Sequence, residues 1–169
     1  SLEWQVNYDC NLNCKYCYLN RHGEDLYKED IREHDKIANN TQLLLDWIES
    51  NGFQIDQWEI FSGSLFSQKI GHVVLDLMYE KLSTTDNPVI RPDVILVPTN
   101  MTFISDDETT AKVEKYIKKF AEIGVDFHLS DSLEGKYMEQ NRPISQQIKQ
   151  GEAIGEHLFT PDERGDEYY

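Results

Sequence analysis

The chain has 169 residues, of which 39% are hydrophobic and 28% are charged, and its formal net charge at pH 7 is −15. This composition predicts one folded domain and excludes a wholly disordered chain. The 31 acidic residues, against 16 Lys and Arg, oppose binding to nucleic acid or to an anionic membrane surface. No apolar stretch approaches the length of a membrane span, about 18 residues, and no secretory signal is visible, so we expect a cytoplasmic protein.

Four strands are predicted in the first 130 residues. Residues 2–9 alternate between apolar and polar side chains, which is the two-residue period of a strand, and the cysteines follow directly. Three short apolar segments have the length and composition of further strands, at 57–62, 93–98 and 125–130. We expect no strand beyond residue 150.

Three amphipathic helices are predicted between these strands. Asp35 caps the first, which runs to about Ser50, the second covers 69–83, and Asp106 or Asp107 caps the third. Gly52 and Gly124 follow the first and third helices, and glycine favours helix termination. The apolar stripes predicted to face the core are Ile37, Leu44, Trp47 and Ile48, then Ile70, Val73, Val74, Leu77, Met78 and Leu82, then Val113, Tyr116, Ile117, Phe120 and Ala121.

The alternation of strands and helices predicts an α/β fold with a parallel sheet and right-handed crossovers. Functional residues of such folds lie at the carboxyl ends of the strands, and the cysteines follow the first strand. We expect residues 1–150 to form this domain. Residues 151–169 contain six acidic residues and one Arg, and we expect them to form an acidic C-terminal tail.

The three cysteines of the chain, Cys10, Cys14 and Cys17, form a C-x3-C-x2-C motif. An odd number of closely spaced cysteines cannot form a complete disulfide framework, so the motif favours a metal or cluster site in a reducing compartment. Three thiolates can hold a cubane iron–sulfur cluster and leave one iron open to a non-protein ligand. The alternative is a structural zinc site completed by a histidine such as His22 or His34.

The cysteine motif resembles the signature of the radical SAM superfamily, which has an aromatic residue where this chain has Tyr16. Three later segments resemble motifs of that family in the same order. Residues 59–65 stand where the family has Gly-Gly-Glu-Pro, residues 98–102 resemble Ser-Thr-Asn-Gly-Thr, and residues 129–143 resemble the Ser-x-Asp-Gly to Asn-Arg-Pro stretch. The last pattern is typical of the branch that includes peptide-modifying and sulfatase-maturing enzymes.

The resemblance implies a partial (β/α) barrel and an oxidoreductase chemistry. The three cysteines would ligate a 4Fe-4S cluster, and S-adenosylmethionine would chelate its open iron. The residues implied to contact that ligand are Tyr16 near the adenine, Ser62, Gly63 and Ser64 near the amino group, and Asn100 and Ser130 near the ribose or carboxylate. An external electron donor would reduce the cluster, and cleavage of the sulfonium would release a 5′-deoxyadenosyl radical that abstracts a substrate hydrogen.

Three features depart from the family pattern. Counting back from Arg142, Ser132 stands where the family has an aspartate, and Asp131 lies one place earlier. Ser64 replaces the glutamate of the Gly-Gly-Glu-Pro motif, and a neutral hydroxyl binds a ligand ammonium more weakly than a carboxylate does. The barrel is also shortened to about four strand–helix units, so a homo- or hetero-oligomer could supply the missing strands. We expect an enzyme acting on an unidentified substrate, with a peptide or protein as the nearest class by motif. The alternative is a catalytically degenerate iron–sulfur binding or assembly subunit. No catalytic acid or base can be named from the sequence.

Overall fold

The computed structural model describes residues 1–12, 31–131 and 159–161. These residues form an α/β fold in which five parallel strands make one sheet, in the order in which they follow along the chain. The strands are β1 (Leu2–Gln5), β2 (Gln57–Phe61), β3 (Val94–Pro98), β4 (Asp126–Asp131) and β5 (Phe159–Pro161). The helices are α1 (His34–Asn51), α2 (Lys69–Thr84) and α3 (Asp107–Glu122).

The fifth strand corrects the expectation that no strand follows residue 150. β5 pairs in parallel with β4, and Thr160 lies opposite Ser130 in the register. Three residues that include a proline are too few for a two-residue period to be recognised in the sequence. The predicted barrel of about four strand–helix units therefore gains a strand from the acidic segment. The remainder of that segment and residues 132–158 lie outside the described residues.

Among the described residues, helices cover only one face of the sheet. Along β2 and β3 the buried residues alternate with half-buried ones, and Trp58, Ile60, Ile95 and Val97 are each 0% exposed. These four side chains belong to one apolar core that also contains residues of α1, α2 and α3. Right-handed crossovers between consecutive neighbouring strands place all three helices on that same face. The described helices therefore leave the other face of the sheet uncovered.

The helix ends follow most of the predicted signals. Gly52 and Gly124 have φ values of 62° and 80°, the left-handed region that glycine favours after a helix. Asp106 caps α3, and its side chain accepts a hydrogen bond from the backbone N–H of Glu108. The prediction that Asp35 caps α1 is wrong, because that helix begins at His34 and Asp35 lies within its first turn. A negative charge there still favours the helix N-terminus.

Two residues of the predicted apolar stripes are exposed. Trp47 is 55% exposed and packs on Phe53, with ring centroids 4.7 Å apart, whereas Leu45, two residues earlier, is 1% exposed. Val73 is 41% exposed, and Leu75 is fully buried instead. Because α1 and α2 pack on each other as well as on the sheet, the buried side of each helix is wider than one stripe and is rotated toward its neighbour.

Candidate functional site

The loops that follow β1, β2 and β3 meet at the carboxyl edge of the sheet, as parallel strands require. Six polar residues are buried in the described part of the chain, and only Thr41 lies away from this edge. The other five are Ser64, Gln68, Thr99, Asn100 and Thr102. Burying a polar group lowers stability unless it is hydrogen-bonded, so this concentration distinguishes the edge from the rest of the fold.

The loops after β1 and β2 touch through their backbones. The N–H of Ser64 donates to the carbonyl oxygen of Asp9 at 2.9 Å. A Cβ on Gly63 would lie 2.4 Å from that oxygen and 2.6 Å from the Cβ of Cys10, which no real side chain tolerates. Gly63 does not have a positive φ, so backbone freedom is not what the turn requires. Glycine is required because Asp9 and Cys10, at the start of the loop that follows β1 (the cysteine loop), lie directly against it.

A network of amide and hydroxyl groups joins the same two loops. Asn7 donates from Nδ2 to Oε1 of Gln68 at 2.6 Å, and Gln68 donates from Nε2 to the Ser62 hydroxyl at 2.8 Å. The Ser62 hydroxyl donates in turn to Oδ1 of Asn7 at 2.8 Å. The three side chains therefore form a closed ring of hydrogen bonds beside the cysteine loop.

Gln68, at the start of α2, is the residue of this edge that sequence reasoning missed. It is 4% exposed, and its Nε2 also lies 2.7 Å from the backbone carbonyl oxygen of Asp9 and 2.9 Å from that of Ser64, so its two hydrogens are shared among three acceptors. The Gln68 side chain therefore connects the loop after β1, the loop after β2 and the start of α2. In the sequence, Gln68 is a polar residue directly before the apolar stripe of α2. Many helices begin in this way, so the pattern does not distinguish a site residue from an ordinary helix start.

Asn100 connects the loop after β3 to the cysteine loop. Its Nδ2 donates to Oδ1 of Asn11 at 2.9 Å and lies 3.8 Å from Sγ of Cys10. The backbone N–H of Leu12 also approaches that sulfur, at 3.4 Å. N–H groups directed at a cysteine sulfur favour its thiolate form and tune an iron–sulfur cluster bound to it.

The turn after Asn100 holds an unusual backbone conformation. Oδ1 of Asn100 accepts from the backbone N–H of Thr102 at 3.1 Å and from its hydroxyl at 2.8 Å. Met101, between them, has φ 59° and is fully buried. A left-handed conformation costs a residue other than glycine roughly 1–2 kcal/mol. The hydrogen bonds from Asn100 therefore hold a non-glycine residue in a conformation that glycine usually adopts.

The described structure brings five of the predicted site residues to one edge. Cys10, Ser62, Gly63, Ser64 and Asn100 are linked by the contacts above. The sixth, Ser130, lies on β4 one strand beyond, where its carbonyl accepts from the backbone N–H of Thr99 at 2.8 Å. Tyr16, Cys14 and Cys17 lie outside the described residues.

Within residues 1–12, 31–131 and 159–161, no group of three or more His, Cys, Asp or Glu side chains could hold a metal ion. Cys10 is the one predicted cysteine ligand that those ranges contain. Of the two histidines that could complete a zinc site, His34 is the first residue of α1, and His22 lies outside the described residues. None of the described helices has the length and apolar character needed to cross a membrane.

A second polar cluster lies between α2 and α3, away from the strand ends. The Tyr116 hydroxyl donates to Oδ1 of Asp76 at 2.9 Å, and its ring stacks on His72 with centroids 6.0 Å apart. Burial, followed by the hydrogen bond to Asp76, raises the pKa of Tyr116. Burial lowers the pKa of His72, whose Nε2 lies 3.2 Å from the carbonyl oxygen of Phe66. This cluster joins two helices.

Comparison of the chain with family models, with curated proteins and with solved structures gives no match.

Proposed function

We propose that the chain is a radical SAM enzyme, which uses a 4Fe-4S cluster and S-adenosylmethionine to generate a 5′-deoxyadenosyl radical. The observation that carries this proposal is the meeting of Cys10 with residues 62–64 and with Asn100 at one edge of a parallel sheet. These segments are far apart in the sequence, and each belongs to a motif that resembles the same family. Their proximity in space is what that resemblance requires.

The residues at this edge fit the cofactor pair. Cys10, with Cys14 and Cys17, would hold the cluster, and the two N–H groups near Sγ of Cys10 suit a thiolate ligand. When bound and reduced, the cluster supplies the electron that cleaves the sulfonium of S-adenosylmethionine. The close contact at Gly63 keeps the loop after β2 against the cysteine loop, so polar groups of both loops face one ligand.

The substrate class nearest by motif is a peptide or protein, and an external electron donor is required. The face of the sheet that the described helices leave uncovered begins at the same edge, and we propose that a substrate approaches from this side. A second copy of this chain or another protein would supply the missing barrel strands by pairing with an edge strand of the sheet.

A second candidate function is a degenerate iron–sulfur subunit that binds the cluster without cleaving S-adenosylmethionine. The observation that favours it is Ser64, which offers no charge where the family has a carboxylate and is only 3% exposed. A ligand ammonium therefore finds no carboxylate at that position.

Anaerobic reconstitution with iron and sulfide, followed by dithionite and S-adenosylmethionine, separates these functions. We expect about four irons and four sulfides per chain and formation of 5′-deoxyadenosine. Cys10→Ala, Cys14→Ala and Cys17→Ala should each lose the cluster absorbance, whereas Ser50→Ala, at the end of α1, should retain it. A fully loaded cluster without 5′-deoxyadenosine would favour the degenerate subunit, and zinc without iron would exclude both candidates.

A further inference from the structure

The middle of β4 carries a histidine on the face of the sheet that the described helices leave uncovered. Phe127 and Leu129 are buried in the apolar core, so His128 between them points to the opposite face. Ser130, two positions further along the strand, lies on the same face at the carboxyl edge. The rise of a strand separates the two residues by about 7 Å, so a substrate that enters from this edge can reach His128.

Asp126 fixes the orientation of the His128 ring. Nε2 of His128 lies 2.7 Å from Oδ2 of Asp126, which stands two residues earlier on the same strand and on the same face. An ionised carboxylate only accepts hydrogen bonds, so Nε2 carries the hydrogen. In the neutral imidazole the other nitrogen, Nδ1, then has a lone pair and is a hydrogen-bond acceptor.

The Nδ1 acceptor is available to a ligand. Within the described part of the chain, the contact with Asp126 is the one hydrogen bond of the His128 side chain, and 40% of that side chain is exposed. The ring nitrogens of His72, by contrast, both lie near protein partners, which are the carbonyl of Phe66 and the hydroxyl of Tyr116. His128 is therefore oriented by the protein and open to a ligand, whereas His72 is engaged within the fold.

The surroundings of His128 indicate which ligand group it accepts. Leu96 lies directly beside it in the register of β3 and β4, and Glu59 lies beside Leu96 on β2. None of the five described strands contains Lys or Arg, so this face holds carboxylates and no cationic side chain from the strands. An anionic group is repelled there. An uncharged O–H or N–H donor next to an apolar group fits both the imidazole and the leucine.

We infer that His128 is a specificity-determining residue that accepts a hydrogen bond at Nδ1 from an O–H or N–H group of the substrate, and that Asp126 is its positioning residue. The chemical class of the substrate is a peptide with an uncharged donor, such as a serine side chain, next to an apolar side chain. The inference rests on the proposed function for treating the bound peptide as the substrate of the radical reaction. His128 lies outside the segments that resemble the family motifs.

Nitrogen NMR of the reconstituted protein with isotope-labelled histidine tests this contact, because it reports each ring nitrogen separately. The probes are three acetylated and amidated pentapeptides of leucine and glycine with a central serine, alanine or aspartate. The serine peptide should shift the Nδ1 signal of His128 saturably. The alanine peptide should bind about two- to tenfold more weakly, the effect of one neutral hydrogen bond, and the aspartate peptide should not bind. His72 is the internal control, and its signals should not respond.

Variants of the pair separate hydrogen bonding from packing, with peptide affinity measured by equilibrium dialysis. His128→Phe keeps a ring without Nδ1, so it should bind the serine peptide about two- to tenfold more weakly and the alanine peptide as the parent does. Asp126→Asn retains an oxygen that can accept from Nε2 and should keep the parent tautomer in the nitrogen spectrum. Asp126→Ala should populate both tautomers and bind the serine peptide more weakly. His72→Gln is the matched control and should bind as the parent does.

Unfolding temperature, measured on every variant, restricts the comparison to proteins that fold. Equal Nδ1 shifts with the serine and alanine peptides would overturn the inference, as would an unchanged affinity of His128→Phe for the serine peptide or the failure of all three peptides to bind the parent. If the parent still forms 5′-deoxyadenosine from S-adenosylmethionine, these results leave the proposed function intact. A parent that shows the expected shifts and forms neither cluster nor 5′-deoxyadenosine would overturn the proposed function and retain the peptide site.

Discussion

The helix-covered face of the sheet and its carboxyl edge are both buried, yet they are built from opposite kinds of side chain. The face is apolar, and residues such as Trp58, Ile95 and Phe120 have no exposed surface. The edge buries amides and hydroxyls, among them Gln68 and Asn100, in a connected set of hydrogen bonds. Apolar burial is non-directional, whereas a hydrogen-bonded network specifies one arrangement of its members.

This difference assigns different roles to the two regions. The apolar face supplies most of the free energy of folding, since burial of apolar surface is its dominant favourable term. The edge adds little net stability, because its polar groups exchange water for protein partners. What the network provides is the position of Cys10 relative to the two neighbouring loops. Substitutions in the face should therefore change stability most and leave the cluster in place, whereas substitutions at the edge should cost less stability and also change ligand and cluster binding.

Phe120→Ala should give the largest loss of stability. Phe120 is fully buried and packs on Phe127 and Tyr79, with ring centroids 5.2 and 5.5 Å apart. Removing the ring leaves a cavity, and we expect the free energy of unfolding to fall by about 3–5 kcal/mol in urea titrations. Iron bound per folded chain should stay at the parent value. Loss of iron from chains that remain folded would show that the two regions are not separable.

Gly63→Ala should be the most damaging single change at the edge. Its new Cβ would meet backbone atoms of Asp9, which cannot rotate away, so we expect a loss of about 1–3 kcal/mol and of the reconstituted cluster. Gly124→Ala is the matched control, because it has φ 80° with open space around it. That control should lose stability through backbone strain and retain the cluster. Equal iron content in the two variants would contradict the role assigned to the contact at Gly63.

Asn100→Ala should have a smaller effect on stability and a specific effect on the cluster. Two donors of Thr102 lose their acceptor, which costs about 1–3 kcal/mol. The sulfur of Cys10 loses a nearby N–H donor, so the midpoint potential of the cluster should become more negative. Redox titration checks this expectation, with Ser105→Ala on the exposed end of the same loop as control. An unchanged potential would remove Asn100 from the surroundings of the cluster.

The pH dependence of stability should show the smallest effect. Burial lowers the pKa of His72 below its ordinary value of 6.5, so the unfolded chain takes up a proton there at higher pH than the folded chain. Stability should fall as the pH decreases through that ordinary value. His72→Gln should flatten this part of the profile of unfolding free energy against pH, measured between about pH 5 and 8. An identical slope in the variant would show that His72 is equally protonated in both states.

Much of the fold is predictable from the sequence for a physical reason. β2 and β3 are short, apolar and buried, and Gly52, Asp106 and Gly124 are standard helix signals, so local chemistry and tertiary structure agree there. β5 was not predictable, because three residues carry no period and the strand depends on pairing with β4. The sequence does not predict that Trp47 is exposed. An apolar stripe shows that a helix packs on something, but it does not show which neighbouring element the helix packs on or how far the helix is rotated toward it.

The site was predictable only in part. Cys10, Ser62, Gly63, Ser64 and Asn100 lie in motifs, and their proximity follows from the parallel order of the strands. Asn7 and Gln68 could not be found this way, because an amide side chain has no periodicity and its role depends on partners 61 residues apart in the chain. Gly63 could be named from its motif, but the collision that a Cβ there would make with Asp9 and Cys10 is visible only in the structure.

The most direct test of the account is the electron paramagnetic resonance spectrum of the dithionite-reduced, reconstituted protein, recorded before and after addition of S-adenosylmethionine. The account predicts the signal of a 4Fe-4S cluster whose g-values change when the ligand is added, because one iron is open to it. A cluster signal that is identical with and without S-adenosylmethionine would contradict the account, as would the absence of any cluster signal from protein that has folded.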